Sequence, residues 1–288
     1  MKKSFNLKLK HLLNALMLIP LIMVSHHLSA QPTSVTLEHI KSSNTLNIGY
    51  RQLEPFSFRD SDGKVTGYTI ALCNIVADEL RESLGIKKLA IHYIPVLFTE
   101  RVSALNTSKI DIDCSVNTVA PERKNSVSFS TDYFVANMRI VSLRKNNIKS
   151  LNDLRGRTVA IPRGSKDLLE LNRINREKNL SLSIVTSDTV EDAFDMMTQK
   201  RTAALILDDI LAYPYINQSE HPENFFVSHE VVGVKMKYAL MMRKEDPVFV
   251  DFVDKTLGKI FESPLNAQLA NRWLTQKVVA KNTQKTQY

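Results

Sequence analysis

The sequence predicts an α/β protein folded as two lobes, on three observations. Strand-like and helix-like patterns follow one another in the order β-α-β-α-β, the same order recurs later in the chain, and an extended segment separates the two runs. The chain has 288 residues, a length at which one core usually gives way to two units. A composition of 43% hydrophobic and 24% charged residues, with 8 Gly and 10 Pro, excludes disordered, collagen-like and low-complexity classes.

In the first run, a polar stretch over 31–45 holds a short helix-like patch, Val35 to Lys41. Leu46–Tyr50 alternates as a strand, Ser61–Lys64 is a turn, and Tyr68–Leu84 carries Ile70, Cys73, Ile75, Val76 and Leu80 at helical spacing. Leu89–Ile94 reads as a strand, Phe98–Asn106 as a helix and Ile110–Cys114 as a strand, an order that implies a parallel sheet. Arg139–Arg144 is extended and leaves this unit. In the second run, Ser150–Leu154 is a short helix, Thr158–Ile161 a strand, Ser165–Glu177 a helix opened by a Ser cap, and Leu182–Val185 a strand. Thr189–Lys200 is a helix and Ala203–Leu207 an apolar strand ending at Asp208-Asp209. Tyr238–Arg243 is a strand returning to the first unit, and helices follow over Pro247–Phe261 and Asn266–Leu274. The expected organisation is residues 31–137 plus 240–276 as a discontinuous first lobe, 138–239 as the second, and a polar, loosely ordered tail over 277–288.

The formal net charge is +8, with 38 Lys+Arg against 30 Asp+Glu, which raises the question of a polyanion partner. Half of that charge sits on Lys2, Lys3, Lys8 and Lys10 in an acid-free segment, residues 1–30, so no nucleic-acid partner is expected. The same segment has a basic start, an apolar run from Leu12 to Val24, and Leu28-Ser29-Ala30 before Gln31. These are the three parts of a secretory signal peptide, and the run is shorter than the about 20 residues a membrane span needs. Cleavage near Ala30 and a periplasmic location are expected. Gln31 rather than Cys follows the cleavage point, which argues against a lipoprotein. Cys73 and Cys114 are an even pair in an exported chain, one on the first helix and one at the end of a neighbouring strand, and predict a disulfide; the alternative is two buried free thiols.

Two α/β units joined by two crossings have a cleft between them, and open α/β sheets place ligands outside the carboxyl ends of their strands. The polar residues at those ends are Tyr50-Arg51, then Ser115 to Thr118 with Arg123 beyond, and Asp208-Asp209, while Arg101 lies on the second helix. Three arginines and an Asp so placed point to an anionic ligand that also carries an amine. Each also has an ordinary reading. Arg51 and Arg101 fit solvated surface charges, Arg123 a surface pair with Glu122 or Asp132, and Asp208 or Asp209 a cap for the next helix. Tyr50, Phe56 and Phe98 read as core or cleft wall.

Arg51-Gln-Leu-Glu-Pro-Phe-Ser-Phe58, Gly67-Tyr68, Asp113 to Thr118, Pro121-Glu-Arg123, Phe129-Ser130 and Leu151 to Gly156 together resemble the periplasmic solute-binding proteins of polar amino-acid ABC importers, family 3. Within that group the chain looks most like the glutamate/aspartate-binding branch, over about residues 35 to 275. The resemblance implies a periplasmic binding protein-like type II fold: two α/β lobes joined by two crossing strands, closing on a ligand in the cleft. It implies that Arg123 clamps the ligand α-carboxylate with Thr118 beside it, and that Asp208 receives the α-ammonium. Arg51 and Arg101 match arginines that face an acidic side chain, and Ser165 opens the helix whose amide end lies near the carboxylate, an anion site in its own right. Phe98, Val116 and Val190 stand where the branch often has Ser, Ser and His, three polar contacts replaced by apolar groups.

Enzyme signatures are missing from the sequence: it holds no HExxH, P-loop, GxSxG, GxGxxG after a strand, or Cys/His set at zinc spacing. The histidines have no Ser or Cys partner at a spacing that identifies a triad, and paired acids such as Asp111/Asp113 do not define a glycosidase. No catalytic residue, metal or cofactor is expected. The expected role is extracytoplasmic binding of an amino acid, glutamate or aspartate, for delivery to an ABC transporter permease, by a monomer. Two alternatives stay open: a periplasmic dehydratase on the same fold, since fold does not fix function, and a ligand-sensing subunit for a membrane receptor.

Overall fold

The computed structural model describes residues 33–275; the signal-peptide reading of residues 1–30 and the tail reading of 277–288 lie outside them. Helix α1 (Val35–Ser43) opens on Ser34, whose hydroxyl accepts from the Leu37 N–H. Ser34 and the Thr36 N–H both donate to Asp246, at 2.8 Å each. Strand β1 (Thr45–Tyr50) leads to a hairpin of β2 (Phe58–Arg59) and β3 (Val65–Thr66), then α2 (Tyr68–Ser83), β4 (Ala90–Pro95), α3 (Arg101–Asn106) and β5 (Ile112–Thr118). Helix α2 starts on Gly67, at φ 120°, where a Cβ would stand 2.3 Å from the Phe56 carbonyl oxygen. Only glycine fits there. Short strands β6 (Val127–Phe129) and β7 (Phe134–Ala136) precede the crossing.

The second lobe starts at β8 (Met138–Leu143) and continues through β9 (Thr158–Pro162), α4 (Lys166–Glu177), β10 (Ser183–Ser187), α5 (Val190–Thr198), β11 (Ala204–Asp208), α6 (Asp209–Gln218) and β12 (Phe225–Val227). Then β13 (Met236–Arg243) returns to the first sheet, and α7 (Pro247–Phe261) and α8 (Pro264–Trp273) close the described chain. The sheet orders are β4-β1-β5-β13-β6, with β7 also on β13, and β10-β9-β11-β8-β12. The chain thus belongs to the two-lobed α/β class, and β13, late in the chain, completes the first sheet.

Four differences from the sequence reading stand out. The sheets are mixed rather than parallel: β4, β1 and β5 run parallel but β13 is antiparallel to β5, and β8 is antiparallel to β11. Those two strands arrive from the other lobe, so the handed crossover that forces parallel neighbours does not constrain them. Strand β5 runs on to Thr118 instead of ending at Cys114, because its polar side chains find partners within the sheet. Asn117 donates to the carbonyls of Asp113 and Ser115 at 3.2 and 3.3 Å. Helix α3 starts at Arg101, not Phe98, and α6 has no counterpart in the sequence pattern because Pro214 lies inside it and Pro normally argues against a helix.

Cys73 and Cys114 form a disulfide with Cα atoms 6.3 Å apart, pinning α2 to β5. The two residues are 41 apart in sequence, and closing a loop of that size stabilises the folded state by about 4 kcal/mol in the chain-entropy account. The variant Cys73→Ala/Cys114→Ala is therefore expected to lose about 4 kcal/mol in urea unfolding; a loss under about 1 kcal/mol would contradict that account.

Candidate functional site

The parallel strands of both sheets end at one cleft, which sets the polar residues facing it. Arg101 is the first residue of α3, Thr118 the last of β5, and Arg123 ends a single 3-10 turn, Pro121–Arg123. Across the cleft Ser165 caps α4, Asp167 lies in its first turn, and Asp208 ends β11. These six line one pocket together with Phe98, Val116, Leu207 and Leu211. Five of the six sequence-predicted ligand residues meet here; Arg51 does not.

The cations come from the first lobe. Arg101 is 2% exposed, and forms no ion pair with any described acid; one guanidinium nitrogen donates to the Gly164 carbonyl at 3.1 Å and its Nε has no partner. Burial first, then Arg51 and Arg123, push its pKa well down, so the protein holds a charge here at a cost. Phe98 stacks on it, 5.3 Å from the guanidinium carbon to the ring centre. Arg123 is half-buried and donates to the same Gly164 carbonyl at 2.9 Å and to the Thr118 carbonyl at 3.4 Å. The surface pair considered for it is not formed, since Glu122 pairs with Lys166 at 2.9 Å and Asp132 with Lys237 at 3.4 Å. Gly164 sits at φ 72°, and a Cβ on it would stand 3.3 Å from the Thr99 side chain. The missing side chain lets the second lobe's turn come up against the first lobe.

The acids come from the second lobe. Asp208 is 2% exposed and accepts a hydrogen bond from the Tyr238 hydroxyl through Oδ2, while its buried Oδ1 has no partner. It stands at the N-cap position of α6 but its side chain caps nothing. Asp209 instead accepts from the Ile210 N–H at 2.9 Å and from Arg139 at 2.9 Å. Burial, then the charge of Asp167, hold the Asp208 carboxyl well above the usual carboxylate range. Burial likewise pushes the Asp167 carboxyl up to about 7, against the pull of Arg123. Ser165 donates to the Pro162 carbonyl at 2.8 Å and accepts from the Leu168 N–H at 3.2 Å, so its hydroxyl holds the helix start in place.

Arg51 is committed elsewhere. It is 6% exposed, paired with Asp113 at 3.0 Å, and donates to the Val116 carbonyl at 2.6 Å and Asn117 Oδ1 at 3.0 Å. It lines a second, mostly apolar cavity of about 240 Å³, with Tyr50, Leu53, Pro95, Leu97 and Val190. Phe98 separates the two cavities, stacked between Arg51 and Arg101. Asp167, Tyr238 and Gly164 were not singled out in the sequence. An acid in a helix's first turn ordinarily complements the helix dipole, so Asp167 carries no distinguishing signal. Tyr238 reaches Asp208 through the pairing of Tyr238 with Thr118 across β13 and β5, a register that no local pattern reveals.

The profile of the bacterial extracellular solute-binding proteins, family 3, matches residues 46–276. The glutamate/aspartate import solute-binding protein of Escherichia coli (strain K12) is 26% identical over 88% of this chain and 84% of its own length. The L-glutamate/L-aspartate-binding protein of Pseudomonas aeruginosa is 28% identical over 85% and 82%. Among solved structures, an ancestral arginine-binding protein bound to arginine superposes with a TM-score of 0.71, at 26% identity, covering 80% of this chain and 98% of that one.

The raised carboxyl of Asp167 makes a stability prediction. An acid whose folded pKa exceeds its unfolded value favours the folded state below the unfolded value, near pH 4, and loses that contribution as pH rises through about 7. Asp167→Asn removes that loss. In the empty protein its melting temperature is expected to exceed wild type by about 3 °C or more at pH 8, with the gap closing near pH 4; equal gaps at both pH values would contradict the burial of this charge.

Proposed function

The chain belongs to the bacterial extracellular solute-binding proteins, family 3, and we propose that it binds an acidic amino acid, glutamate or aspartate, in the periplasm and delivers it to an ABC transporter permease. The observation that carries this reading is the separation of charge across one cavity. Arg101 and Arg123 approach from the first lobe without an acid partner, and Asp208 approaches from the second with an unpartnered buried oxygen. The ligand α-carboxylate takes Arg123, which gives up its bond to the Gly164 carbonyl, with the N-terminus of α4 adding its dipole. The α-ammonium donates to Asp208 Oδ1. The side-chain carboxylate pairs with Arg101, whose burial makes a counter-ion valuable.

A basic side chain fits this cavity poorly, because Arg101, Arg123 and Lys166 line it. Arginine-binding relatives accommodate such a side chain, and the two glutamate/aspartate-binding relatives support the acidic alternative. Phe98 and Val116 replace polar contacts with an apolar wall that suits the ligand methylenes. Thr118, at the cavity edge, flanks the carboxylate. Binding closes the lobes by hinge motion, and the closed form is what the permease meets. An enzyme reading draws on the buried acids Asp167 and Asp208, since raised carboxyls also serve as general acids; it requires a cyclic carboxylate to be converted, whereas a binding protein releases its ligand unchanged.

In calorimetry with L-glutamate, Arg123→Ala and Asp208→Ala are each expected to weaken binding by about a hundredfold or more. Arg101→Ala is expected to lose affinity for glutamate while sparing glutamine. Normal binding by Arg123→Ala would overturn the site assignment.

A further inference from the structure

Asp208 by itself is an incomplete seat for an ammonium. Its Oδ2 already accepts from Tyr238, which leaves one oxygen, while an ammonium carries three donors. The second carboxyl on the cavity, Asp167, is 5% exposed and forms no ion pair with a described residue. It sits on α4 and Asp208 on β11, so two separate elements aim acids at one space. Two like charges facing one buried cavity repel unless a cation lies between them.

The neighbours supply that charge only in part: Arg123 pulls the Asp167 pKa down without pairing with it, and Arg101 on α3 lines the same cavity but donates to the Gly164 carbonyl. Around Asp167, the 3-10 turn contributes Arg123, which spends its guanidinium on Gly164 and Thr118, and α4 contributes Lys166, which pairs with Glu122. From β13, Tyr238 offers its proton to Asp208. Beside Asp208 on α6, Asp209 is neutralised by Arg139 at 2.9 Å. In the empty site a proton is the remaining way to relieve the pair.

Resting on the reading of the site as an amino-acid pocket, we propose that Asp167 is a second ligand-contacting acid: the ligand ammonium lies between the Asp167 and Asp208 carboxyls and displaces a proton that the pair holds in the empty site. The charge balance closes, because one positive charge replaces another and the proton leaves to solvent. Binding is then strongest at high pH and weakens as pH falls through about 7, by up to about tenfold per pH unit. The ammonium of a free amino acid, held by its own carboxylate, titrates above pH 8 and both carboxyls of glutamate below pH 5.5, so the protein is the source of the effect.

The test is calorimetry with L-glutamate from pH 5.5 to 8, repeated at pH 7 in phosphate and in imidazole, whose different ionisation heats report protons released. Wild type is expected to release protons and to bind more weakly at pH 5.5. Asp167→Asn is expected to bind more weakly than wild type at pH 8 and with a flatter pH profile. Binding by wild type with no proton release and constant affinity would overturn the proposal while leaving the pocket reading intact, whether or not the variant folds, and so would an Asp167→Asn profile parallel to wild type. Absence of binding by L-glutamate and by every other amino acid at pH 8 would overturn both.

Discussion

The structure depends on keeping buried charges of opposite sign on facing walls of one cleft without letting them neutralise each other. Arg101 and Arg123 approach from one lobe, Asp167 and Asp208 from the other, and no two of them form an ion pair. A cavity built this way is costly when empty, because each ionisable group has lost water and gained little in return. The stand-in partners are modest: one carbonyl, that of Gly164, receives both arginines, and one phenol, that of Tyr238, serves Asp208. On the proposed reading, a zwitterionic ligand supplies both signs at once, and its binding energy comes from relieving that cost.

The fold enforces the arrangement from several directions. Parallel strands point their carboxyl ends at the cleft, which delivers Thr118 and Asp208. The chain crosses between the lobes into β8 and back into β13, which ties them at two places and sets Tyr238 beside Thr118. Behind Tyr238, an aromatic cluster of Phe56, Tyr68, Tyr133 and Phe134 fixes the ring, with Phe56 5.4 Å and Phe134 5.7 Å from it. Lys166 with Glu122 and Gln218 with Glu54, each at 2.9 Å, link the two sides of the cleft outside the cavity. Such exposed contacts hold weakly, which suits the proposed opening and closing of the lobes.

Much of this was legible in the sequence because it rests on local pattern. Helical spacing located α2, the Ser165 cap announced α4, and the polar residues at strand ends marked the cleft. What stayed hidden depends on long-range register or on partners. Nothing near Arg51 says that Asp113, 62 residues away, will claim it, and nothing near Asp208 distinguishes it from Asp209 until Arg139 takes one and Tyr238 the other. Asp167 looks like an ordinary helix-start acid. The short strands β6, β7 and β12 are only 3 residues each, too brief for a period to register.

A thermal-shift screen of the protein against the twenty amino acids at pH 8 tests the central claim most directly, since a ligand that binds only the folded state raises the melting temperature. The charge-separated cavity predicts a rise with L-glutamate or L-aspartate and none with L-arginine or L-lysine. A rise with L-arginine or L-lysine and none with the acidic pair would contradict it.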